Sequence, residues 1–266
     1  MPRNYTVQTL KDELELIGHV WHLGTHQGND GNHGNTLETL LGVPENNLQL
    51  PDYGSIELKC QISEKKNLLT LFHKEPLPPA SLPKLIRTFG WKHQKAGTKY
   101  PSTEMSFRST TSSDGYTSRG FRILLSNHKI QFAFNKNQVK RNDVDRSKAY
   151  PNLGAWADDI ETRAPHYSTI LPVYWEESDF IKSCSDKLED TLYCFCEKKT
   201  ENDLDYFRFV EAYIFRGFLS EKISHLFEQG GLFIDIDARS GHNHGVKLRI
   251  KPNLLTNLFS TSEKVL

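Results

Sequence analysis

The stretch Pro51-Asp52-Tyr53-Gly54-Ser55-Ile56-Glu57-Leu58-Lys59 constrains this chain more than any other. It carries two carboxylates and an amine in the order Asp-x4-Glu-x-Lys. In a strand over 56–59, side chains alternate between faces, so Glu57 and Lys59 point one way while Ile56 and Leu58 enter a core. Asp52 follows a proline and precedes a Tyr-Gly-Ser turn, which places it where the chain enters that strand. Two carboxylates brought to one place repel each other unless a cation lies between them, and hard oxygen donors suit Mg2+. A lysine beside them can orient or deprotonate a metal-activated water. These groups are equipped to hydrolyse a phosphodiester, and the expected substrate is DNA.

The spacing alone also arises by chance, and the chain contains a decoy. Asp190 and Glu197-Lys198-Lys199 flank the apolar run Leu192 to Cys196. There the carboxylate and lysines are expected at the exit of a strand, in a solvated turn. The neighbours of each motif must therefore decide between them.

At 266 residues the chain can bury a substantial core as one two-lobed domain, with the catalytic centre expected in 1–80 and recognition elements mainly in 232–250. Lysine plus arginine equal aspartate plus glutamate at 33 each, so there is no global basic signature. The balance is uneven, however. From Leu82 to Lys148 basic residues outnumber acidic ones 14 to 4, and from Tyr150 to Arg239 acidic residues outnumber basic ones 18 to 9. A basic middle third beside acidic catalytic groups fits a local footprint for nucleic acid; the alternative is a solvated basic face. No apolar stretch is long enough to span a membrane, and the first residues lack the charged-then-apolar pattern of a signal segment. Cys60, Cys184, Cys194 and Cys196 lack Cys-x-x-Cys spacing, so they are expected as buried free thiols of a cytoplasmic, prokaryotic protein.

Periodicity predicts a helix over 9–21, carrying Leu10, Leu14, Ile17 and Trp21 on one face. A flexible Gly/Asn/Asp/His loop is expected over 24–35, and its glycines argue against zinc binding by His19, His22 and His26. A short helix follows, capped by Asn35 or Thr36, buried through Leu37, Leu40 and Leu41, and ended by Gly42. Glu38 lies off that face, either as a solvated acid or delivered to the cation beside Asp52. Beyond the motif the expected elements are a strand over 67–73, a proline-rich crossing over 76–83 and a short helix over 84–89. The Ser/Thr run 109–113 leads to a turn at Asp114-Gly115, and a hairpin joins 120–125 to 129–134. An extended loop or insertion is expected over 140–172. A helix over 179–188, strands over 191–196 and 206–213, and a helix over 214–229 come next.

Near the C-terminus, 232–239 and 246–250 alternate apolar and polar residues, and Ser240 to Gly245 joins them. Asp237, Arg239, Lys247 and Arg249, with His242 and His244, make a candidate base-reading surface. An arginine fork matches the two acceptors on a guanine edge, while an aspartate accepts from cytosine or holds an arginine in its reading pose. The alternative is an ordinary hairpin with cross-strand ion pairs on its wet face. Arg87, in the expected 84–89 helix, joins the candidate DNA-contacting set.

Two separated blocks carry a family likeness. The first is Gly34-Asn35-Thr36-Leu37-Glu38-Thr39-Leu40-Leu41, then Pro51-Asp52 to Glu57-Leu58-Lys59, then Leu68-Leu69-Thr70-Leu71-Phe72. The second is Asp237-Ala238-Arg239, Gly241-His242-Asn243-His244-Gly245 and Arg249-Ile250, with Val173-Tyr174-Trp175 and Arg216-Gly217 between the blocks. Together they resemble the MvaI/BcnI family of restriction endonucleases, relatives of the nickase MutH, over most of the chain and most closely its MvaI branch. The resemblance implies an α/β (α+β) MutH-like fold of the PD-(D/E)XK class, a mixed central sheet flanked by helices, with two lobes forming a DNA cleft. It implies that Asp52, Glu57 and the main-chain carbonyl of Leu58 bind Mg2+, with Mn2+ as a substitute. Lys59 and Glu38 would complete the active site, and Asp237, Arg239, His242, His244 and Arg249 would lie in the part that reads the target.

The implied activity is type II cleavage of double-stranded DNA at a short CC-N-GG-like site by sequential nicking. A monomer with a cognate DNA methyltransferase in the same system is implied as well. A MutH-like repair nickase and a DNA-binding module with a dead site are the alternatives. The 140–172 connection is longer here than in the family, the gap from Arg239 to His242 is shorter, and Asp235 competes with Asp237 as the base-reading acid.

Overall fold

The structure, a computed structural model, describes residues 5–44, 50–64, 67–165 and 169–266. The chain forms two compact units: Met1–Leu69, Lys182–Lys222 and Lys251–Leu266 make the first, and Thr70–Ile181 with Ile223–Ile250 the second. Among the described residues no helix is long and apolar enough to cross a membrane. All four cysteines are buried free thiols, as expected.

The first unit starts with α1 (Val7–Ile17), opened by a capping box between Thr6 and Thr9. Leu10 and Leu14 recur one turn apart and are both fully buried. The helix stops at Gly18 rather than at Trp21, because His19 takes a left-handed φ of 59°. Trp21 instead opens β1 (Trp21–Leu23). Helix α2 (Asn32–Leu40) is capped at Gly31, four residues before Asn35, so part of the Gly/Asn loop is helical. Asn32 is buried and its Oδ1 accepts from the N–H of His26, which ties the loop to the helix.

Strand β2 (Ile56–Ile62) pairs in parallel with β9 (Asp190–Glu201), and β9 pairs antiparallel with β10 (Leu204–Phe218). Both β1 and β13 (Phe259–Lys264) add to β10, giving a mixed sheet. A 3-10 turn over Pro252–Leu258 leads into β13. Leu10, Leu14 and Leu37 from the helices pack against Ile56, Leu58, Cys60, Leu192 and Cys194 of the sheet.

Two expectations fail here for one reason: short runs of aromatic and β-branched residues do not reveal their period. The run after Thr191 continues in β9 to Glu201, so the decoy's charges lie along a strand and not in an exit turn. Glu197 pairs with Arg208, Lys198 with Asp205 and Lys199 with Glu201, a solvated ladder. Likewise, Ile214 to Phe218 belong to β10 and not to a helix, with Phe215 opposite Thr191 on one side and Ser262 on the other.

The second unit holds a sheet in the order β3 (Leu69–His73), β12 (His242–Ile250), β11 (Leu232–Arg239), β5 (Met105–Thr111) and β4 (Trp91–Lys92). A second sheet has β6 (Arg119–Ser126), β7 (Lys129–Val139) and β8 (Ile170–Glu176). The expected β6–β7 hairpin turns on Asn127 and His128, both at positive φ, as a tight turn between twisted strands demands. The start of the Ser/Thr run, Ser109 to Thr111, is an unexpected part of β5, an interior strand of its sheet.

Helix α3 (Ser81–Phe89) starts before Lys84. The stretch expected as an extended loop contains α4 (Leu153–Arg163), capped by Asn152. Leu153, Trp156, Ala157 and Ile160 are its buried stripe, packed into 11 residues between prolines that mask the period. Trp156 meets Phe121 and Phe134 there and donates its indole N–H to the Phe89 carbonyl. Helix α5 (Glu177–Leu188) enters the first unit at Lys182, and α6 (Lys222–Glu228) is the short remnant of the predicted 214–229 helix.

Candidate active site

Asp52 is placed by its neighbours. Tyr53 and Ile56 exchange two backbone hydrogen bonds of 2.9 Å across a turn in which Gly54 has φ 64°. A Cβ on Gly54 would stand 2.8 Å from Tyr5 Cβ, so both its φ and its surroundings require glycine. Tyr53 is fully buried and its hydroxyl donates to Glu13 at 3.0 Å. With the turn pinned, Asp52 Oδ2 accepts the main-chain N–H of Leu58 at 3.1 Å, which folds the acid back onto β2.

Strand β2 brings Glu57 and Lys59 to one face, and Ile56 and Leu58 enter the core as predicted. That polar face is not wet. Glu57 is only 1 % exposed and Lys59 donates to its Oε1. Farther along, Gln61 accepts from the Tyr193 hydroxyl and donates to the Asn67 carbonyl.

A second lysine completes the group, and it comes from outside residues 1–80. Lys187, in the last turn of α5, holds its Nζ 3.0 Å from Glu57 Oε2, 3.9 Å from Asp52 Oδ1 and 3.1 Å from the Leu50 carbonyl. No spacing rule links it to the motif. The available signal is topological: β2 and β9 are parallel with Ile56 opposite Asp190, so the residues just before Asp190 lie beside those just before Ile56. Sequence reasoning without that pairing could not find it.

Burial pushes the Glu57 carboxyl above its usual range; Lys59 opposes that shift, Asp52 adds to it and Lys187 opposes it. Among the described residues Oε2 makes no hydrogen bond, and its charged neighbour is the Lys187 ammonium at 3.0 Å. That ammonium is a counter-ion whose place at the buried oxygen a divalent cation could take. The set Asp52, Glu57 and the Leu58 carbonyl is all hard oxygen, and therefore fits Mg2+.

Glu38 lies half-buried on α2, which packs on β2. Among the described residues no three His, Cys, Asp or Glu side chains form a metal-holding group, so the acids brought together here are Asp52 and Glu57.

The second unit carries the other candidate residues. Asp235, Asp237 and Arg239 alternate with buried Ile234, Ile236 and Ala238 on β11, and Lys247 stands opposite Asp235 on β12. Arg249 Nη1 lies 3.0 Å from Asp235 Oδ2. His242 pairs with Arg239 across a turn at Ser240-Gly241, so the expected six-residue loop is largely strand. The His244 side chain lies outside the described residues. Arg87, exposed on α3, borders a groove of about 670 Å3 that Arg239 and His242 also line.

Asp235 and Asp237 differ in their partners. Asp235 takes Thr110 and Arg249, while Asp237 takes Arg108. Glu104, which sequence reasoning missed, accepts from Arg239 and from the Gly241 N–H and is held below the usual carboxylate range, first by that backbone bond.

A sequence profile of the MvaI/BcnI restriction endonuclease family matches residues 11–259. No curated protein sequence matches the chain. Among solved structures, a restriction endonuclease MvaI–cognate DNA substrate complex is similar at 20 % identity and a TM-score of 0.74, over 99 % of this chain and 100 % of that one. Restriction endonuclease MvaI in the absence of DNA is similar at 20 % identity and a TM-score of 0.50, over 100 % of both chains. The profile takes in β2 with its Asp-x4-Glu-x-Lys motif and the β11–β12 hairpin, and on that extent of match the chain belongs to the MvaI/BcnI restriction endonuclease family.

Proposed function

We propose that this protein is a Mg2+-dependent type II restriction endonuclease that hydrolyses double-stranded DNA at a short CC-N-GG-like site, as a monomer and by sequential nicking. The carrying observation is Glu57: a carboxylate buried to 1 % exposure, ion-paired to two lysines that come from different elements, and beside Asp52. Natural proteins rarely keep such a group unless something binds there.

Asp52, Glu57 and the Leu58 carbonyl would hold Mg2+, or Mn2+ in its place. When bound, the metal supplies Lewis-acid polarisation of the phosphate and lowers the pKa of a bound water. Lys59 shares a rigid strand with Glu57, so it can orient the attacking water or take its proton with little reorganisation. The Leu58 N–H keeps Asp52 aimed at the same point. Lys187 balances the two acids when no metal is bound, and Glu38, carried on α2, would have to be drawn in by the metal or the DNA to join them. Base reading falls to the surface that carries Asp237, Arg239, His242, His244, Lys247 and Arg249, where an acid either reads a base or holds an arginine that does, with Arg87 on the groove. A DNA methyltransferase of matching specificity is the expected partner, since host DNA carries the same site.

Purified protein, Mg2+ and a plasmid should yield discrete fragments whose ends map to one short sequence. Lys59→Ala should bind that sequence within a few-fold of wild type and cut it about 10^2- to 10^4-fold more slowly. Undiminished cutting by Lys59→Ala sinks the assignment, and nicked circles alone redirect it to a repair nickase.

A further inference from the structure

The polar face of the β11–β12 hairpin continues onto a third strand. Register sets Arg108 of β5 opposite Asp237, Thr110 opposite Asp235 and Ser106 opposite Arg239. Three arginines share this face, and each is held differently. Arg239 bonds Glu104 through Nη1, lies 4.2 Å over the Tyr100 ring and is 21 % exposed. Arg249 spends Nη1 on Asp235 and is 27 % exposed. Arg108 gives only Nε, to Asp237 Oδ1 at 2.8 Å, and is 65 % exposed. Its two terminal nitrogens bond nothing among the described residues.

A guanidinium clamped at Nε is aimed without being used up. Two terminal N–H groups in a rigid fork match O6 and N7 of guanine, the commonest specific contact in the major groove. Anchoring the side chain beforehand reduces the rotamer freedom lost on binding. Asp235 is already committed to Thr110 and Arg249, which leaves Asp237 as the acid that serves Arg108.

We propose that Arg108 is a base-reading residue that recognises a guanine in the major groove, with Asp237 as its positioning residue. The proposal deepens the endonuclease reading and rests on it for the nature of the ligand.

The test selects bound sequences from a randomised duplex pool with Ca2+ in place of Mg2+, then measures cutting of the selected duplexes in Mg2+. Wild type should select one short sequence. Arg108→Ala should lose discrimination about ten- to hundredfold at one guanine position, while other positions hold. Arg108→Lys keeps the charge but not the fork, so it should relax the same position with an unchanged salt dependence. Asp237→Asn should relax that position more weakly and add nothing in the Arg108→Ala background.

A uniform affinity loss in Arg108→Ala, with a shallower salt slope, would make Arg108 a phosphate contact and overturn the proposal. So would Asp237→Asn relaxing a different position, or a wild type that selects no sequence. A wild type that selects a sequence without cutting it sinks the enzyme reading alone, and the selections still judge Arg108. If Arg108→Ala fails to fold by thermal melting, Arg108→Lys decides.

Discussion

Glu57 and Asp145 are both buried carboxylates paired with cations, yet burial wins at one and loses at the other. Asp145, 2 % exposed in the second unit, is pushed up by burial. It also accepts from the Ser147 hydroxyl at 2.6 Å, the Ser147 N–H at 2.9 Å and the Tyr150 N–H at 3.1 Å, besides Arg119. Those bonds outweigh burial and hold its carboxyl below the usual value. Arg119 is itself gripped, 4.1 Å from the Trp91 ring and 4.8 Å from Trp156. Glu57 has two flexible ammonium groups, another acid nearby and no backbone donor, and its carboxyl is held high. Fixed donors on both oxygens make a buried acid structural. An acid held only by movable ammonium groups can exchange one of them for a metal, and exchangeable counter-ions around converging oxygens are what a metal site requires before its metal arrives.

The comparison can be broken most sharply at Asp145. Asp145→Ala strands a buried guanidinium and should cost about 3–5 kcal/mol, read by guanidinium chloride denaturation followed through tryptophan fluorescence. A loss below about 1 kcal/mol would mean that the bonds around Asp145 do not complete it. Lys187→Met is the next largest. It removes a counter-ion that a metal must displace, so metal-free stability should fall by about 1–3 kcal/mol. Affinity for Ca2+, measured by calorimetry, should rise. A fall in that affinity would make Lys187 a supporting group for the metal and not its stand-in.

What could be read from sequence follows from how local each cause is. The alternation in β2 and β11 lies within one strand, so the pairing of Glu57 with Lys59 and the row Asp235, Asp237, Arg239 were legible. Lys187 and Arg108 owe their positions to pairing between distant strands, β2 with β9 and β11 with β5. No periodicity encodes such a partner. The Ser/Thr run that hides β5 looks like a loop because its polar side chains are satisfied by one another: Ser109 and Thr111 lie 2.6 Å apart, and Thr110 reaches Asp235. Helix α4 was hidden between prolines, and with it Trp156, one of the two rings that grip Arg119. Glu57's burial was also hidden, since alternation places a side chain on a face but does not say what covers it.

The smallest expected effect is in pH, and it separates the two acids by sign. The folded Asp145 carboxyl lies below its ordinary value of 3.8, so its stabilisation is present above that value and lost as pH falls through the folded one. The folded Glu57 carboxyl lies above its ordinary 4.5, so its contribution is present below that value and lost as pH rises through the folded one. In metal-free buffer, Glu57→Gln, a neutral mimic of the protonated acid, should therefore gain on wild type as pH rises from 4 to 7. Asp145→Asn should lose ground to wild type over the acid range up to pH 5, and the deficit should shrink on acidification. Adding Mg2+ should reverse only the first difference, because bound metal stabilises wild type and Glu57→Gln has lost a ligand. Denaturation midpoints across pH for the two variants decide it. If both variants move the same way, or if Mg2+ leaves the Glu57→Gln difference unchanged, Glu57 is a structural acid like Asp145 and the metal must be sought elsewhere.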